Sequence, residues 1–204
     1  MEIACLDLEG VLIPEIWIAF ADLTGIPELR ITTRDLPDYD VLMKQRLRIL
    51  AEHGLGLKEI QAVVATMQPL PGAVEFVNWL RQHFQVVILS DTFYEFAMPF
   101  MPMLGNPTLL CHKLVVDAQG RVVDYVIRQQ DPKRQAVLAL QGLNYRVLAA
   151  GDSYNDTSML GTADAGFLFH APDKVIAEFP QFAAVDTYQE LQQLFRKHSE
   201  RRIA

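Results

Sequence analysis

Four short runs, Glu2–Leu6, Gln85–Leu89, Tyr145–Ala150 and Ala165–Phe169, are apolar through almost their whole length, and they most constrain the fold of this chain. A strand with one wet face alternates apolar and polar residues. A strand that does not alternate needs cover on both faces, as in a parallel sheet. Helical patterns separate the runs, at Gly72–His83, Pro132–Gln141, Asn155–Gly161 and Thr187–His198. Alternation of this kind predicts an α/β fold with a doubly wound parallel sheet. Right-handed crossovers then place the first strand near the sheet centre.

Two stretches break the alternation. Between the first and second runs the chain reads as helices at Glu15–Thr24, Tyr39–His53 and Leu57–Thr66, with a break at Gly25-Ile26-Pro27. Met67-Gln68-Pro69-Leu70-Pro71-Gly72 reads as the return linker. The expected division is a catalytic core of residues 1–14 and 71–204 and an inserted helical cap of residues 15–70. The chain of 204 residues is long enough for both. Farther on, Leu114-Val115-Val116 and Arg121-Val122-Val123 flank a glycine-containing turn and predict a hairpin. Ser199–Ala204 is expected to be a frayed tail.

Net charge is −7, and basic residues cluster only near the C-terminus, which argues against a nucleic-acid partner. Cys5 and Cys111 lie far apart without metal-type spacing and read as reduced, structural thiols. No apolar run approaches the roughly 18 residues of a membrane span, and no secretory signal pattern opens the sequence. The expectation is a cytoplasmic protein acting on a small molecule, with no nucleic acid and no membrane. The five histidines show no paired spacing and read as structural or surface residues.

Chemistry concentrates where apolar runs end. The first run leads into Asp7-Leu8-Glu9-Gly10, and the third into Gly151-Asp152-Ser153-Tyr154-Asn155-Asp156. The carboxyl ends of strands are where open α/β sheets bind ligands. Two acidic clusters there suit one oxygen-lined cation site. With no competing His/Cys cluster, hard oxygen donors favour Mg²⁺ over zinc. Read alone, Asp7 could be an acid capping a turn, and Asp156 an acid at a helix start.

Four segments in order, Asp7-Leu8-Glu9-Gly10-Val11, Leu89-Ser90-Asp91-Thr92, Lys133 and Gly151–Asp156, resemble the four motifs of the haloacid dehalogenase-like phosphatases. Within that superfamily the chain resembles the phosphoserine phosphatase family. The helical insertion after the first motif, Glu15, Lys44-Gln45-Arg46, Pro71-Gly72 and Ser90-Asp91-Thr92-Phe93 carry this resemblance. More narrowly it is similar to the variant that also transfers phosphate from phosphoserine to homoserine.

The resemblance implies a role for each residue. Asp7 is the nucleophile and Glu9 the general acid, then base, where the family usually has Asp. Lys133 offsets phosphoryl charge, with Arg134 and Arg128 as rivals for that assignment. Asp7, Asp152 and the main-chain carbonyl of Glu9 hold Mg²⁺, with Asp156 behind them or on a metal-bound water. Ser90, Asp91 and Thr92 form the phosphate-binding segment. An acid beside a phosphate is unfavourable, so the Asp91 side chain is expected to point away, capping the helix that begins near Phe93. Asn155 contacts the phosphate or orients Lys133. Glu15 takes the substrate ammonium and Arg46 its carboxylate, with Arg48 as the rival cation. The implied function is a Mg²⁺-dependent phosphatase of O-phospho-L-serine, with homoserine as a possible acceptor. Two other readings stay open: the same chemistry on a sugar or nucleotide phosphate, and an inactive module that binds a phospho-ligand.

Overall fold

The computed structural model describes residues 1–33, 35, 36 and 38–203. Its strands are β1 (Glu2–Leu6), β2 (Gln85–Phe93), β3 (Thr108–Val116), β4 (Val122–Val126), β5 (Arg146–Gly151), β6 (Ala165–Phe169) and β7 (Ala183–Val185). They form one sheet in the order β4-β3-β2-β1-β5-β6-β7, with β1 at the centre as the crossover rule predicts. The pairs are parallel except β3–β4, the predicted hairpin.

The helices are α1 (Ile16–Thr24), α2 (Tyr39–Glu52), α3 (Leu57–Val64), α4 (Ala73–His83), α5 (Tyr94–Ala97), α6 (Pro132–Gly142), α7 (Thr157–Thr162), α8 (Asp173–Glu178) and α9 (Tyr188–His198). Alternate residues of each central strand enter different cores. Ala4, Leu6, Ile88, Leu148 and Phe167 meet α4 and α9 on one face. Ile3, Cys5, Val87, Val147 and Leu168 meet α6 and α7 on the other. Cover on both faces is the physical reason these strands are apolar throughout. Burial pushes the Cys5 and Cys111 thiols up to about 12, so both stay protonated packing groups.

The inserted helices α1, α2 and α3 follow β1 as expected, and their apolar residues join the first of these cores. Trp17 of α1 meets Phe96 of α5 edge to face at 5.6 Å. The Leu70 N–H donates to the Leu12 carbonyl at 2.9 Å, tying the returning chain to the departing one.

Several elements differ from expectation. β2 runs on to Phe93, with an irregular register against β3 between Leu89 and Phe93. β3 begins at Thr108, before the hairpin pattern starts, and β7 and α8 have no counterpart in the sequence reading. The C-terminal segment is anchored rather than frayed. The buried Glu2 carboxylate accepts from Ser199 Oγ (2.6 Å), the Glu200 N–H (2.8 Å) and Arg201 Nε (2.9 Å). A buried acid needs such partners, and the tail supplies them. Ala204 of that segment lies outside the described residues. Among the described residues no helix is long and apolar enough to cross a membrane.

Candidate active site

Asp7 follows the last residue of β1, and its N–H still donates to the Ala150 carbonyl of β5 at 2.9 Å. The backbone is therefore fixed on the sheet while the side chain turns to the carboxyl edge. Asp7 Oδ1 accepts the Leu8 N–H at 2.7 Å and lies 2.8 Å from Lys133 Nζ. Behind Asp7 the loop folds tightly: Gly10 has φ +78°, its N–H donates to the Ile13 carbonyl, and Leu8 accepts from Leu12 and Ile13.

Gly10 also makes room for the second acid. A Cβ there would stand 2.6 Å from Asp152 Oδ2. Gly10→Ala is expected to lower stability by about 1–3 kcal/mol from backbone strain alone. It should also displace Asp152 and raise the Mg²⁺ concentration needed for half-maximal activity. Urea denaturation and a Mg²⁺ titration read the two effects.

Lys133 reaches the site because Asp131 adopts a left-handed conformation (φ 47°) and Pro132 opens α6. Its buried ammonium lies 2.7 Å from Asp156 Oδ1 and 3.8 Å from Asp91 Oδ2, besides its contact with Asp7. Burial works against this charge, yet the carboxylates of Asp156, Asp7 and Asp91 outweigh it and raise its pKa well above the ordinary lysine value. The Asp7 carboxyl is lifted well above its ordinary range by burial and by Asp156 and Asp152, with Lys133 opposing them. Arg134 lies 3.7 Å from Asp131, and Arg128 donates to the Pro132 carbonyl, so neither rival takes the place of Lys133.

Asp156 is fully buried. Its Oδ2 accepts the N–H groups of Asp152 (2.9 Å) and Ser153 (3.1 Å) while Oδ1 accepts from Lys133. It thus shapes the loop from behind. Asp7, Asp152 and Asp156 each offer an oxygen within 4.8 Å of the others. One ammonium does not balance three crowded carboxylates, and an all-oxygen donor set fits a hard divalent cation.

Asp7 and Asp152 from the sheet edge, Ser90 from β2, and Glu15, Tyr39 and Arg46 from the insertion line one cavity of about 710 Å³. Glu9, Asp91, Thr92 and Asn155 also reach it, while Lys133 and Asp156 lie directly behind Asp7; the rival cations Arg48, Arg128 and Arg134 do not line it. Glu9 Oε2 accepts the N–H of Ile16, the first residue of α1, at 3.0 Å. The Arg46 guanidinium is buried 4.5 Å over the Trp17 ring, donates to the Ile31 carbonyl at 2.9 Å, and leaves Nε without a partner among the described residues. Burial lowers its pKa to about 10, against Tyr39, Glu9 and Glu15, and it stays charged at neutral pH. Arg48 instead lies on the surface, 3.6 Å from Glu52, so helix phase favours Arg46 for the cavity.

Asp91 departs from expectation. Its side chain caps no helix; Phe93 occupies the cap position of α5. Because β2 continues through it, Asp91 turns into the site, where Oδ2 accepts from Asn155 Nδ2 at 2.7 Å. Asn155 in turn pairs through Oδ1 with Ser153 Oγ. Trp17, Tyr39 and His112 are among the cavity residues that escaped the sequence reading. The Tyr39 hydroxyl donates to the Asp91 carbonyl at 2.9 Å. His112 Nδ1 accepts the Arg128 N–H at 3.3 Å, which leaves the ring proton on Nε2, 3.6 Å from Asp91 Oδ1. Burial lowers the His112 pKa, with Asp91 opposing, and keeps the ring neutral.

The sequence matches a haloacid dehalogenase-like hydrolase family model over residues 1–164. It is 70% identical over 203 residues to a phosphoserine phosphatase of Pseudomonas syringae pv. tomato, spanning all of this chain and 86% of that protein. It is 69% identical over 204 residues to the phosphoserine phosphatase ThrH of Pseudomonas aeruginosa, with both chains covered in full. In fold it resembles a solved phospho-aspartyl intermediate analogue of phosphoserine phosphatase, with TM-score 0.80, 18% identity, and coverage of 94% of this chain and 97% of that one. A substrate-bound phosphoserine phosphatase complex is similar at TM-score 0.79 and 17% identity, with 96% and 97% covered. With this sheet, this acidic centre and these relatives, the chain belongs to the haloacid dehalogenase-like hydrolase family, in its phosphoserine phosphatase group.

Proposed function

We propose that this protein is a Mg²⁺-dependent phosphatase of O-phospho-L-serine that works through a phosphorylated Asp7, and that it also passes the phosphoryl group to the hydroxyl of homoserine. The observation that carries this reading is the pairing, across one cavity, of a buried strand-edge carboxylate on an ammonium with a buried guanidinium whose Nε has no partner among the described residues.

Asp7 attacks phosphorus, and the bond to the serine oxygen breaks as Glu9 gives that oxygen a proton. Glu9 then takes a proton from the incoming water, which attacks phosphorus and frees Asp7. When a second amino acid enters instead, its hydroxyl takes the water's place. A cavity of about 710 Å³ suits drug-sized ligands and leaves room for this exchange after serine departs. Asp7, Asp152 and the Glu9 carbonyl would hold Mg²⁺, with Asp156 fixing the loop behind them. When bound, the cation neutralises charge on the phosphoryl oxygens. Lys133 offsets the same charge, Ser90 and Thr92 lie beside it, and Arg46 pairs with the substrate carboxylate through its planar fork.

A substrate panel tests this reading. Phosphate release from phosphoserine should exceed that from sugar and nucleotide phosphates, vanish with EDTA and return with Mg²⁺. Phosphohomoserine should form when homoserine is in excess. A preference for a sugar phosphate would contradict the proposed substrate.

The hold of α1 on Glu9 gives a sharper prediction. Glu carries one methylene more than Asp, and in this structure that reach ends on the Ile16 N–H. Ile16→Pro deletes that donor where proline is well tolerated, and Glu15, at φ −61° and ψ 116°, already has the conformation that precedes a proline. Ile16→Ala loses the same packing but keeps the donor. The kcat of Ile16→Pro is expected to fall roughly tenfold or more below that of Ile16→Ala, within the range of general acid–base effects. Equal kcat values would show that α1 does not position Glu9.

A further inference from the structure

Asp91 lies on the cavity wall, and the phosphoryl chemistry does not use its carboxylate. It is 24% exposed, so part of its charge has left water. Its neighbours compensate that charge weakly. Asn155 gives one neutral N–H to Oδ2. Lys133 Nζ stands 3.8 Å off and is already engaged at 2.7 and 2.8 Å by Asp156 and Asp7. His112 presents Nε2 at 3.6 Å from Oδ1 and is neutral. A partly buried carboxylate of this kind favours a cationic partner. In the same cavity an anion would be repelled by it.

The carboxylate is also rigid. The Tyr39 hydroxyl holds its carbonyl at 2.9 Å, and Asn155 holds one carboxylate oxygen at 2.7 Å. It flanks the Lys133 ammonium that Asp7 also touches, which places it close to the reacting centre. In phosphoserine three bonds separate the ester oxygen from the amine nitrogen, a reach of roughly 4 Å.

We infer that Asp91, braced by Asn155 and Tyr39, is a specificity-determining residue that receives the ammonium group of the amino-acid substrate and selects amine-bearing phosphomonoesters against isosteric ones carrying a hydroxyl. This deepens the phosphoserine reading and rests on it. It also gives the acid beside the phosphate segment a purpose: its cost to the phosphate is offset by its attraction for the amine three bonds away. Glu15, the acid assigned to the ammonium by resemblance, then shares that task.

Binding can be tested apart from turnover. In an Asp7→Asn background with Mg²⁺, calorimetry would measure L-phosphoserine, the L enantiomer of 3-phosphoglycerate (hydroxyl in place of ammonium) and inorganic phosphate, each with Asp91 intact and with Asp91→Asn. Asn keeps the shape and an acceptor for Asn155, so the loop stays in place. The expected result is that phosphoserine binds about tenfold more weakly while the two anions without an amine bind as well or better, as loss of a charged partner requires. A common shift for all three ligands, or an unchanged preference for the amine, would overturn the inference. So would a preference that disappears with Glu15→Gln alone. Failure of the phosphoserine reading shows elsewhere, as absent phosphate release by the wild-type enzyme.

Discussion

Replacing Asp7 by Asn is expected to reduce phosphate release from phosphoserine by roughly ten-thousand-fold or more, as loss of a nucleophile does, while the protein stays folded. The reason lies in the charges around this residue. Burial and the Asp156 and Asp152 carboxylates already push the Asp7 carboxyl toward its neutral form, so a neutral amide suits the folded state. Asn retains an acceptor for the Leu8 N–H at Oδ1 and for Lys133 Nζ. The two readouts should therefore separate. Steady-state assays should show almost no turnover, and thermal unfolding should fall within a few degrees of the wild type. Residual activity within tenfold of wild type would remove Asp7 from the chemistry.

Lys133→Met is expected to damage both. The ammonium is buried between Asp7 at 2.8 Å and Asp156 at 2.7 Å. Its removal leaves buried carboxylates facing each other, which costs about 3–5 kcal/mol. Turnover should fall by roughly a hundredfold to a thousandfold, the usual effect of removing a group that stabilises developing charge.

The variant's stability should also depend on pH in a defined sense. The Asp7 carboxyl, raised above its unfolded value in the wild type, rises further without Lys133. The folded variant then holds a proton that the unfolded chain releases above about pH 4. The stabilisation from that proton is full below the unfolded pKa and is lost as pH rises through the folded one. Urea denaturation should therefore show a smaller deficit at pH 5 than at pH 8, and Mg²⁺ should recover part of the loss at the higher pH. A pH-independent deficit would mean that lost packing, not charge, sets the cost.

The acidic centre was legible in the sequence because its parts sit at strand ends, and strand ends announce themselves. Asp7 follows a run that cannot continue through it, and Asp152 does the same after β5. Buried on both faces, the central strands were equally plain. What escaped depends on phase and on distant contacts. Arg46 and Arg48 lie on one helix, and only the packing of α2, with Trp17 beneath Arg46, decides which faces the cavity. Repulsion between an acid and a phosphate predicts that Asp91 points away; β2 instead continues to Phe93 and turns the side chain inward. His112 and Tyr39 meet Asp91 from positions far along the chain, and no local pattern carries such a contact. The C-terminal segment looks polar and free until Glu2, at the start of the central strand, is seen to need its donors.

All the proposed chemistry passes through one covalent species on the side chain that ends the central strand. Rapid acid quenching of the wild-type enzyme during phosphoserine turnover, followed by borohydride reduction and peptide mass analysis, looks for that species directly. The expected outcome is reduction of residue 7 to an alcohol, dependent on both Mg²⁺ and phosphoserine and absent from Asp7→Asn. An enzyme caught in turnover with Asp7 unmodified, or with the phosphoryl group on another residue, would contradict it.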